Sequence, residues 1–438
     1  MRPFLDWFFA TAYYPDTNSR YHYASSLQNR PKKFFRLSLL HIIGWDDDVI
    51  SFVHINIYIK TIYLFDMAKQ VSKTKITSGI TGKSYDFLKS YLNNASPVGF
   101  ESSGQKLWLE YIKPYVDSHF TDPYGTAVGV VNPKGPFKVV IEGHADEISW
   151  FVNYITPEGL IYLKRNGGVD HQTAPAQRVF IHGKKGPVKA VFGWPAIHTR
   201  LSNNESKEPQ PRVDNLFLDC GARNKKEIAD LGIHIGAVVT YQDGFEELAY
   251  VYYVARAFDN RIGGFMIAEV ARRIKENNKK LPYALYVVNA VQEEIGLRGA
   301  EMIARRIKPD VAIITDVTHD THTPMINKII EGDVLCGKGP SLAYGPAVHN
   351  KLLSFVEEVA AKKNIPVQMR TVSRSTGTDT DSFAYANDGC PSVLISIPLR
   401  YMHTTVEMLH KRDIEQTIDL MYETLLALTP STNLNYFS

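Results

Sequence analysis

The chain has 438 residues, of which 44% are hydrophobic and 22% charged, and its formal net charge is +3. This length allows two or three domains, and the balanced charge excludes the strongly basic composition of many nucleic-acid-binding and membrane-surface proteins. The cysteines Cys220, Cys336 and Cys390 lie far apart without a CxxC pair. This spacing excludes a disulfide framework and a thiolate metal site, and it indicates a reducing, cytoplasmic compartment.

Residues 1–66 differ in composition from the rest of the chain. They contain 15 aromatic residues, one glycine and no glutamate, and they show neither helical nor strand periodicity. The apolar run 49–65 is interrupted by polar residues, which makes it a poor membrane-spanning helix. Because ordinary globular composition begins at Met67, we predict that Met67 is the natural start and that 1–66 is a non-native or disordered extension. A membrane-associating segment is the alternative.

An α/β pattern opens the globular part, which we predict to begin with a first section over 67–150. Two helices are expected over 85–92 and 102–118, and the apolar stretch 137–141 reads as a buried strand. That strand runs into His144 and Asp146. An imidazole at a strand end can bind a metal through one ring nitrogen, and a carboxylate two residues later can orient the ring through the other.

Residues 151–249 have a different sequence pattern. Short strand-like pieces alternate with turns rich in Gly, Pro, Asn and Asp, as in 177–183 and 186–193. Evenly spaced short strands indicate a small barrel or sandwich, and no helix here is long enough for a βα unit. We therefore predict an inserted β-rich domain over 151–249, followed by the second section of the α/β domain over 250–438.

Acidic residues recur at element ends in the second α/β section. Asp259 precedes a helix over 262–276, where the helix dipole favours an anion. The apolar strand 283–291 runs into Glu293 and Glu294, and two adjacent carboxylates at a buried strand end repel each other unless a cation is near. The next apolar strand ends close to Asp316.

The last core strand, 392–398, runs towards His403, and a helix over 412–428 closes the chain. In open α/β sheets, sites form outside the carboxyl ends of strands, so we expect the candidate ligands to converge. Imidazole and carboxylate donors without thiolate suit Zn²⁺, with Co²⁺ and Mn²⁺ as alternatives. The candidate metal ligands are His144, Asp259, Glu294, Asp316 and His403.

Five ligands are many for one catalytic metal, whereas two metals bridged by one carboxylate use all of them. Asp259 is the predicted bridge, because His144 with Glu294 or Asp316, and His403 with the other acid, make balanced halves. Glu293 is left free beside Glu294 as a general base. The reaction that fits is hydrolysis, in which two metals activate a bridging water and Glu293 takes its proton.

The combined motifs resemble those of the M42 family of two-metal aminopeptidases, the tetrahedral, glutamyl or deblocking type. The motifs that carry the resemblance are Gly-His-Ala-Asp-Glu-Ile at 143–148, Ala-Phe-Asp-Asn-Arg-Ile-Gly-Gly at 257–264, Val-Gln-Glu-Glu-Ile-Gly-Leu-Arg-Gly-Ala at 291–300, Thr-Asp-Val-Thr-His at 315–319, Gly-Lys-Gly-Pro at 337–340 and Arg-Tyr-Met-His-Thr-Thr-Val-Glu at 400–407. The resemblance covers about 83–428.

The resemblance implies a mixed α/β peptidase domain that is interrupted by a β-rich dimerisation domain. It further implies release of N-terminal residues from peptides, two divalent metal ions and homo-oligomers built from dimers, often hollow dodecamers. By position, the five ligands named above match the family's metal ligands, with Asp259 as the bridge. Glu293 matches the catalytic base and Asp146 the residue that orients His144.

Other functions remain open at this stage. A related two-metal carboxypeptidase or deacylase of the same broad fold is the nearest alternative. An endoglucanase is less favoured, because glycosidases need a carboxylate pair without an obligate metal. A non-catalytic scaffold is less favoured because no ligand and no base is lost. We expect the pocket for the first substrate residue to come from 317–325 and 371–381.

Overall fold

The computed structural model describes residues 80, 82–200 and 209–437. The predicted extension 1–66 therefore lies outside the described residues. Strands in the described part are β1 (Ser118–Thr121), β2 (Ala127–Val131), β3 (Lys138–His144), β4 (Ser149–Ile155), β5 (Ile161–Asn166), β6 (Arg178–Gly183), β7 (Gly186–Gly193), β8 (Phe217–Asp219), β9 (Val238–Tyr241), β10 (Glu246–Leu248), β11 (Tyr252–Ala255), β12 (Ala284–Ala290), β13 (Val311–His319), β14 (Ser341–Tyr344), β15 (Gln368–Thr371), β16 (Ser392–Leu399) and β17 (Glu407–His410).

Helices lie mainly before and after the β-rich middle of the chain. They are α1 (Lys83–Asn93), α2 (Ser102–Ile112), α3 (Ile197–Arg200), α4 (Lys225–Asp230), α5 (Phe258–Glu276), α6 (Arg298–Ile307), α7 (Lys328–Glu331), α8 (Asn350–Lys363), α9 (Thr380–Ala384) and α10 (Lys411–Ala427). No helix among the described residues is both long enough and apolar enough to cross a membrane.

An eight-stranded mixed sheet forms the centre of the α/β part, in the order β1-β2-β12-β3-β13-β16-β14-β15. Its four central strands, β12, β3, β13 and β16, run parallel to one another, and β2 and β14 join them antiparallel. The central strands are almost wholly buried, as continuous apolar β-branched sequences require. Their carboxyl ends meet at one edge, which is where the candidate site residues lie.

The predicted mixed α/β fold with an inserted β-barrel is confirmed. Strands β4 to β9 close into a six-stranded barrel in the order β4-β5-β8-β7-β6-β9. Its interior holds a separate apolar core that includes Trp150, Val179, Ile181 and Leu218. The exact domain boundaries and the dimerisation role stay predictions. A third small sheet, β10-β11-β17, connects the end of the barrel segment to the last part of the chain.

Two local expectations were wrong in detail. The second helix was expected to reach residue 118, but α2 ends at Ile112 and a single 3₁₀ turn follows. Pro114 lies in that turn, and a proline interior to an α-helix removes a hydrogen bond and clashes with the preceding turn. Asp316 was expected after a strand, whereas it lies inside β13 and is buried. The strand thus continues through the candidate ligand.

Candidate metal centre

The two ligands carried by core strands lie deepest in the candidate centre. His144 is the last residue of β3, and Asp316 lies on the adjacent parallel strand β13. His144 is 1% exposed and Asp316 is 4% exposed. Nε2 of His144 is 4.0 Å from Oδ1 of Asp316. We call this pair the sheet half of the centre.

Two further ligands come from connections rather than strands. Glu294 lies in a short 3₁₀ turn that follows the left-handed residue Gln292, and His403 itself has a φ of 62°. Oε1 of Glu294 is 3.4 Å from Nε2 of His403, and the His403 side chain is 32% exposed. We call this pair the loop half. In the structure His144 faces Asp316, and His403 faces Glu294.

Asp259 lies between the two halves. It occupies the start of α5 with non-helical torsion angles, and its backbone N–H donates to Glu407. Its Oδ1 is 3.3 Å from Nε2 of His144, and its Oδ2 is 3.2 Å from Nε2 of His403. Each carboxylate oxygen therefore faces one half, which is the arrangement that the predicted bridging role requires.

Both imidazoles have an oxygen at the ring nitrogen that points away from the centre. Oδ1 of Asp146 is 3.4 Å from Nδ1 of His144. Nδ1 of His403 is 3.0 Å from the carbonyl oxygen of Gly168, in the β5–β6 connection of the barrel. A proton on Nδ1 that points to an oxygen leaves the Nε2 lone pair facing the centre, as metal-binding histidines need.

Glu293 lies beside the sheet half, and Asp146 fixes its backbone. Oδ1 of Asp146 accepts a hydrogen bond from the Glu293 N–H at 3.0 Å, and Oδ2 accepts one from the Glu294 N–H at 3.1 Å. Oε2 of Glu293 is 3.6 Å from Nε2 of His144. One carboxylate thus holds the turn that carries the predicted base and also lies against the ring of His144.

The carboxylates are crowded in a way that calls for cations. Burial raises the pKa of Glu293 to about 10 and that of Asp316 to about 7, and neighbouring carboxylates add to both increases. Burial also disfavours the charged form of Asp259, but hydrogen bonds with His144 and His403 hold its pKa below the usual range. Two imidazoles offset at most two of these four neighbouring carboxylate charges, so divalent cations here would favour the ionised forms.

The donor set fits divalent metal ions. Ligand atoms of His144, Asp259 and Asp316 lie within 4.8 Å of one another, and so do those of Asp259, Glu294 and His403. Each half offers one imidazole, one carboxylate of its own and one oxygen of Asp259. Nitrogen and oxygen donors in this number suit Zn²⁺, Co²⁺ or Mn²⁺.

Two residues near the centre were given no role by the sequence. Oε1 of Glu407 accepts from the His403 N–H at 2.9 Å, and its Oε2 accepts from the Asp259 N–H at 3.0 Å. Glu407 thus ties the bridge to the loop half, and its position four residues after His403 was the one available signal. Gly168 is the second, and it is 235 residues from His403, so no local pattern indicates it.

An open cleft of about 670 Å³ lies over the centre. The predicted base and four of the five ligands line it, namely Asp259, Glu293, Glu294, Asp316 and His403. Parts of both predicted pocket segments, 317–319 and 375–378, line it as well. The candidate ligands can therefore be reached from this side.

Known proteins resemble this chain over most of its length. A profile of the family described as M42 glutamyl aminopeptidase matches residues 125–420. Lysyl aminopeptidase from Pyrococcus furiosus is 32% identical over 349 residues, which cover 79% of this chain and 98% of that protein.

Solved structures share the fold. A TET aminopeptidase from the marine sediment archaeon Thaumarchaeota archaeon SCGC AB-539-E09 has a TM-score of 0.76 and 30% identity, over 80% of this chain and 98% of that one. The Pyrococcus horikoshii TET1 peptidase, described as assembling into a tetrahedron or a large octahedral shell, has a TM-score of 0.70 and 24% identity. That second likeness covers 79% of this chain and 100% of the other, and it shows the fold alone.

Proposed function

The chain belongs to the M42 glutamyl aminopeptidase family, whose members hydrolyse N-terminal residues from peptides, and on this premise we propose a two-metal aminopeptidase with Glu293 as general base. One observation carries the proposal. The two oxygens of Asp259 lie 3.3 and 3.2 Å from the imidazoles of His144 and His403, which belong to different halves of the centre. A carboxylate shared in this way suits a pair of cations.

The ligands divide evenly between the two cations. His144 and Asp316 would hold one, His403 and Glu294 the other, and Asp259 both. Zn²⁺ is the proposed metal, with Co²⁺ and Mn²⁺ as alternatives. When bound, the metals polarise the scissile carbonyl and lower the pKa of water in the site.

Glu293 performs the proton transfers. In its ionised form it accepts a proton from the attacking water as the new carbon–oxygen bond forms. It then donates that proton to the leaving amine as the peptide carbon–nitrogen bond breaks. Asp146 acts through other residues, because its two oxygens hold the backbone of Glu293 and Glu294 while one of them lies against His144.

We propose that the barrel mediates self-association. Large apolar side chains are exposed on it, including Tyr154, Val191 and Ile235. Burial of such side chains against a second copy of the chain would favour association. Following the family resemblance, the proposed assembly is a homo-oligomer built from dimers, up to a dodecamer; the TET1 peptidase is itself described as a tetrahedron or a large octahedral shell. The three cysteines are free, which agrees with a reducing cytoplasm.

Aminoacyl-anilides and their N-acetylated forms, given to the purified full chain, test the proposed function. We expect release of the anilide only from substrates with a free amino group, loss of activity on exhaustive chelation, and recovery with Zn²⁺, Co²⁺ or Mn²⁺. Cleavage of the acetylated substrates alone would instead support a deacylase or deblocking activity. Activity that persists after exhaustive chelation would contradict the metal mechanism.

A further inference from the structure

We propose that Arg370 is a specificity-determining residue that binds a carboxylate of the peptide substrate in the cleft beside the metal centre. The inference rests on the proposed function and names a substrate class for the same site. The family description and the lysyl relative name first residues of opposite charge, so relatedness does not decide the class. The side chain of Arg370 gives independent evidence on the substrate class.

Arg370 lies on β15, at the edge of the main sheet, and lines the same cleft as the metal centre. Burial along β15 alternates, so that Gln368 and Arg370 are half-buried while Met369 and Thr371 are exposed. Gln368 is fully engaged with the backbone of Leu335 and Gly339. Of these two half-buried residues of β15, Arg370 is the one whose polar group is available to a ligand in the cleft.

The guanidinium of Arg370 has no partner among the described residues. Its Nε is buried and donates no hydrogen bond, and no described carboxylate lies within 4.0 Å to form an ion pair. Burial lowers the pKa of Arg370, and the charge of Asp316 opposes this change, yet an arginine remains protonated near neutral pH. A buried guanidinium N–H without an acceptor is costly, which makes an anionic ligand at this position favourable.

Five acids line the cleft; four of them have the partners given below, and the fifth, Glu293, lies 3.6 Å from His144. Asp259, Glu294 and Asp316 face the imidazoles of the metal centre. Asp381 accepts hydrogen bonds from the Thr376 N–H at 3.1 and 3.0 Å. Among the described residues that line the cleft, Arg370 is the single arginine or lysine. The complementary group must therefore come from outside the described chain, and a guanidinium pairs best with a carboxylate, through two parallel hydrogen bonds.

Two parts of a peptide could supply that carboxylate. One is the side chain of an N-terminal Glu or Asp, and the other is the free C-terminus of a di- or tripeptide. The chemistry at Arg370 is the same in both cases. Substrates that carry only one of these carboxylates distinguish the two sources.

Steady-state kinetics of the full-length, metal-loaded chain test the proposal. The substrates are Glu-anilide against Gln-anilide, and Leu-Gly-Gly against its C-terminal amide. Arg370→Met removes the charge while keeping an unbranched side chain, and Arg370→Lys keeps the charge without the planar fork. Lys362→Met is the matched control, since Lys362 is exposed in the last turn of α8 and lies outside both the cleft lining and the predicted pocket segments.

We expect Arg370→Met to lower kcat/KM for the carboxylate-bearing member of one pair by roughly 10- to 100-fold. The neutral member should change less than about threefold, Arg370→Lys should recover part of the loss, and Lys362→Met should have no effect. A loss confined to Glu-anilide identifies the side chain as the source, and a loss confined to free Leu-Gly-Gly identifies the C-terminus. Equal loss on charged and neutral substrates, or no loss, would overturn the proposal.

Titration calorimetry separates this inference from the proposed function. Glu-Gly-Gly and Gln-Gly-Gly, each with a free or an amidated C-terminus, are titrated into Glu293→Gln and Glu293→Gln/Arg370→Met proteins. Tighter binding of the peptides with an added carboxylate, lost with Arg370→Met, supports the proposal even if the unaltered protein cleaves nothing. Equal affinities in all cases would overturn it, whatever the catalytic result.

Discussion

His144 and Asp316 lie on adjacent core strands and are almost fully buried, whereas Glu294 and His403 lie on connections held in left-handed conformations. The sheet half owes its geometry to backbone pairing between β3 and β13. The loop half depends on contacts made by other segments, namely the Gly168 carbonyl at the ring of His403 and the Glu407 carboxylate at its backbone. Asp259 is the one ligand common to both.

This difference bears on how firmly each half is organised before metal binds. Strand pairing inside a packed core leaves few alternative positions for a side chain. A loop residue with a positive φ keeps its place only while surrounding contacts hold it there. We therefore expect the sheet half to be the preformed half and the loop half to respond to changes elsewhere in the chain.

Glu293→Gln should have the largest effect. It tests whether Glu293 acts in catalysis without binding metal in either half. We expect kcat to fall about 10³-fold or more, because glutamine cannot accept the proton of the attacking water. Metal content should stay unchanged in elemental analysis. A variant that keeps more than about a tenth of the activity would contradict the assignment of Glu293 as base.

Removal of metal from the loaded chain compares the two halves directly. We expect metal loss during dialysis against a chelator to have two phases that differ by about tenfold or more, with the exposed loop half emptying first. His403→Ala should abolish the fast phase and His144→Ala the slow one, as followed by metal content per chain. A single phase in the unaltered chain would mean that the halves do not differ.

Gly168→Ala should weaken the loop half alone. A Cβ at this position would lie 2.8 Å from Cε1 of His403, so the ring or the loop must move. We expect metal affinity at the loop half to fall about 10- to 100-fold, as for loss of a contact that orients a ligating histidine. Gln172→Ala, an exposed change in the same connection, is the control. Equal loss at both halves would point to general destabilisation of the centre.

The smallest effect concerns His410, which ends the strand that carries Glu407. Burial lowers the pKa of His410 to about 4, helped by Arg412, Arg400 and Lys411 nearby. Below about pH 6.5 His410 is protonated in the unfolded chain but stays neutral in the folded chain. The stability of the folded chain therefore falls as pH drops from about 6.5 to about 4.

With solvent screening of the partly buried imidazole, that loss amounts to about 1 kcal/mol in the free energy of unfolding. Denaturant unfolding measured at several pH values should show a weaker pH dependence for His410→Gln than for the unaltered chain. An identical dependence would show that His410 is protonated in the folded state as readily as in the unfolded chain.

The sequence predicted the core of the fold, and the candidate ligands that it named lie close together in the structure. Strands β3, β12, β13 and β16 are continuous apolar runs, and a fully buried parallel strand needs such a run. Apart from Asp259, which begins α5, the candidate ligands stand at or near the ends of these strands, so their convergence follows from the architecture. The division into halves did not follow, because it depends on which side chains face each other after the loops have folded.

Contacts between distant segments account for what the sequence could not predict. Gly168 has no feature of its own that marks it as the partner of His403, and Arg370 lies one residue outside the segments expected to form the substrate pocket. The Pro114 effect on α2 is local and was available from the sequence. Non-local contacts become visible only when the barrel and the sheet are seen together.

The hydrogen bond between the barrel and His403 has a thermodynamic consequence. Anything that restrains the β5–β6 connection also restrains the imidazole and raises the affinity of the loop half for metal. Reciprocity then requires that metal binding restrain the connection by the same free energy. If copies of the chain associate through their barrels, a higher cation concentration should promote association. A higher subunit concentration should in turn promote metal binding at the loop half.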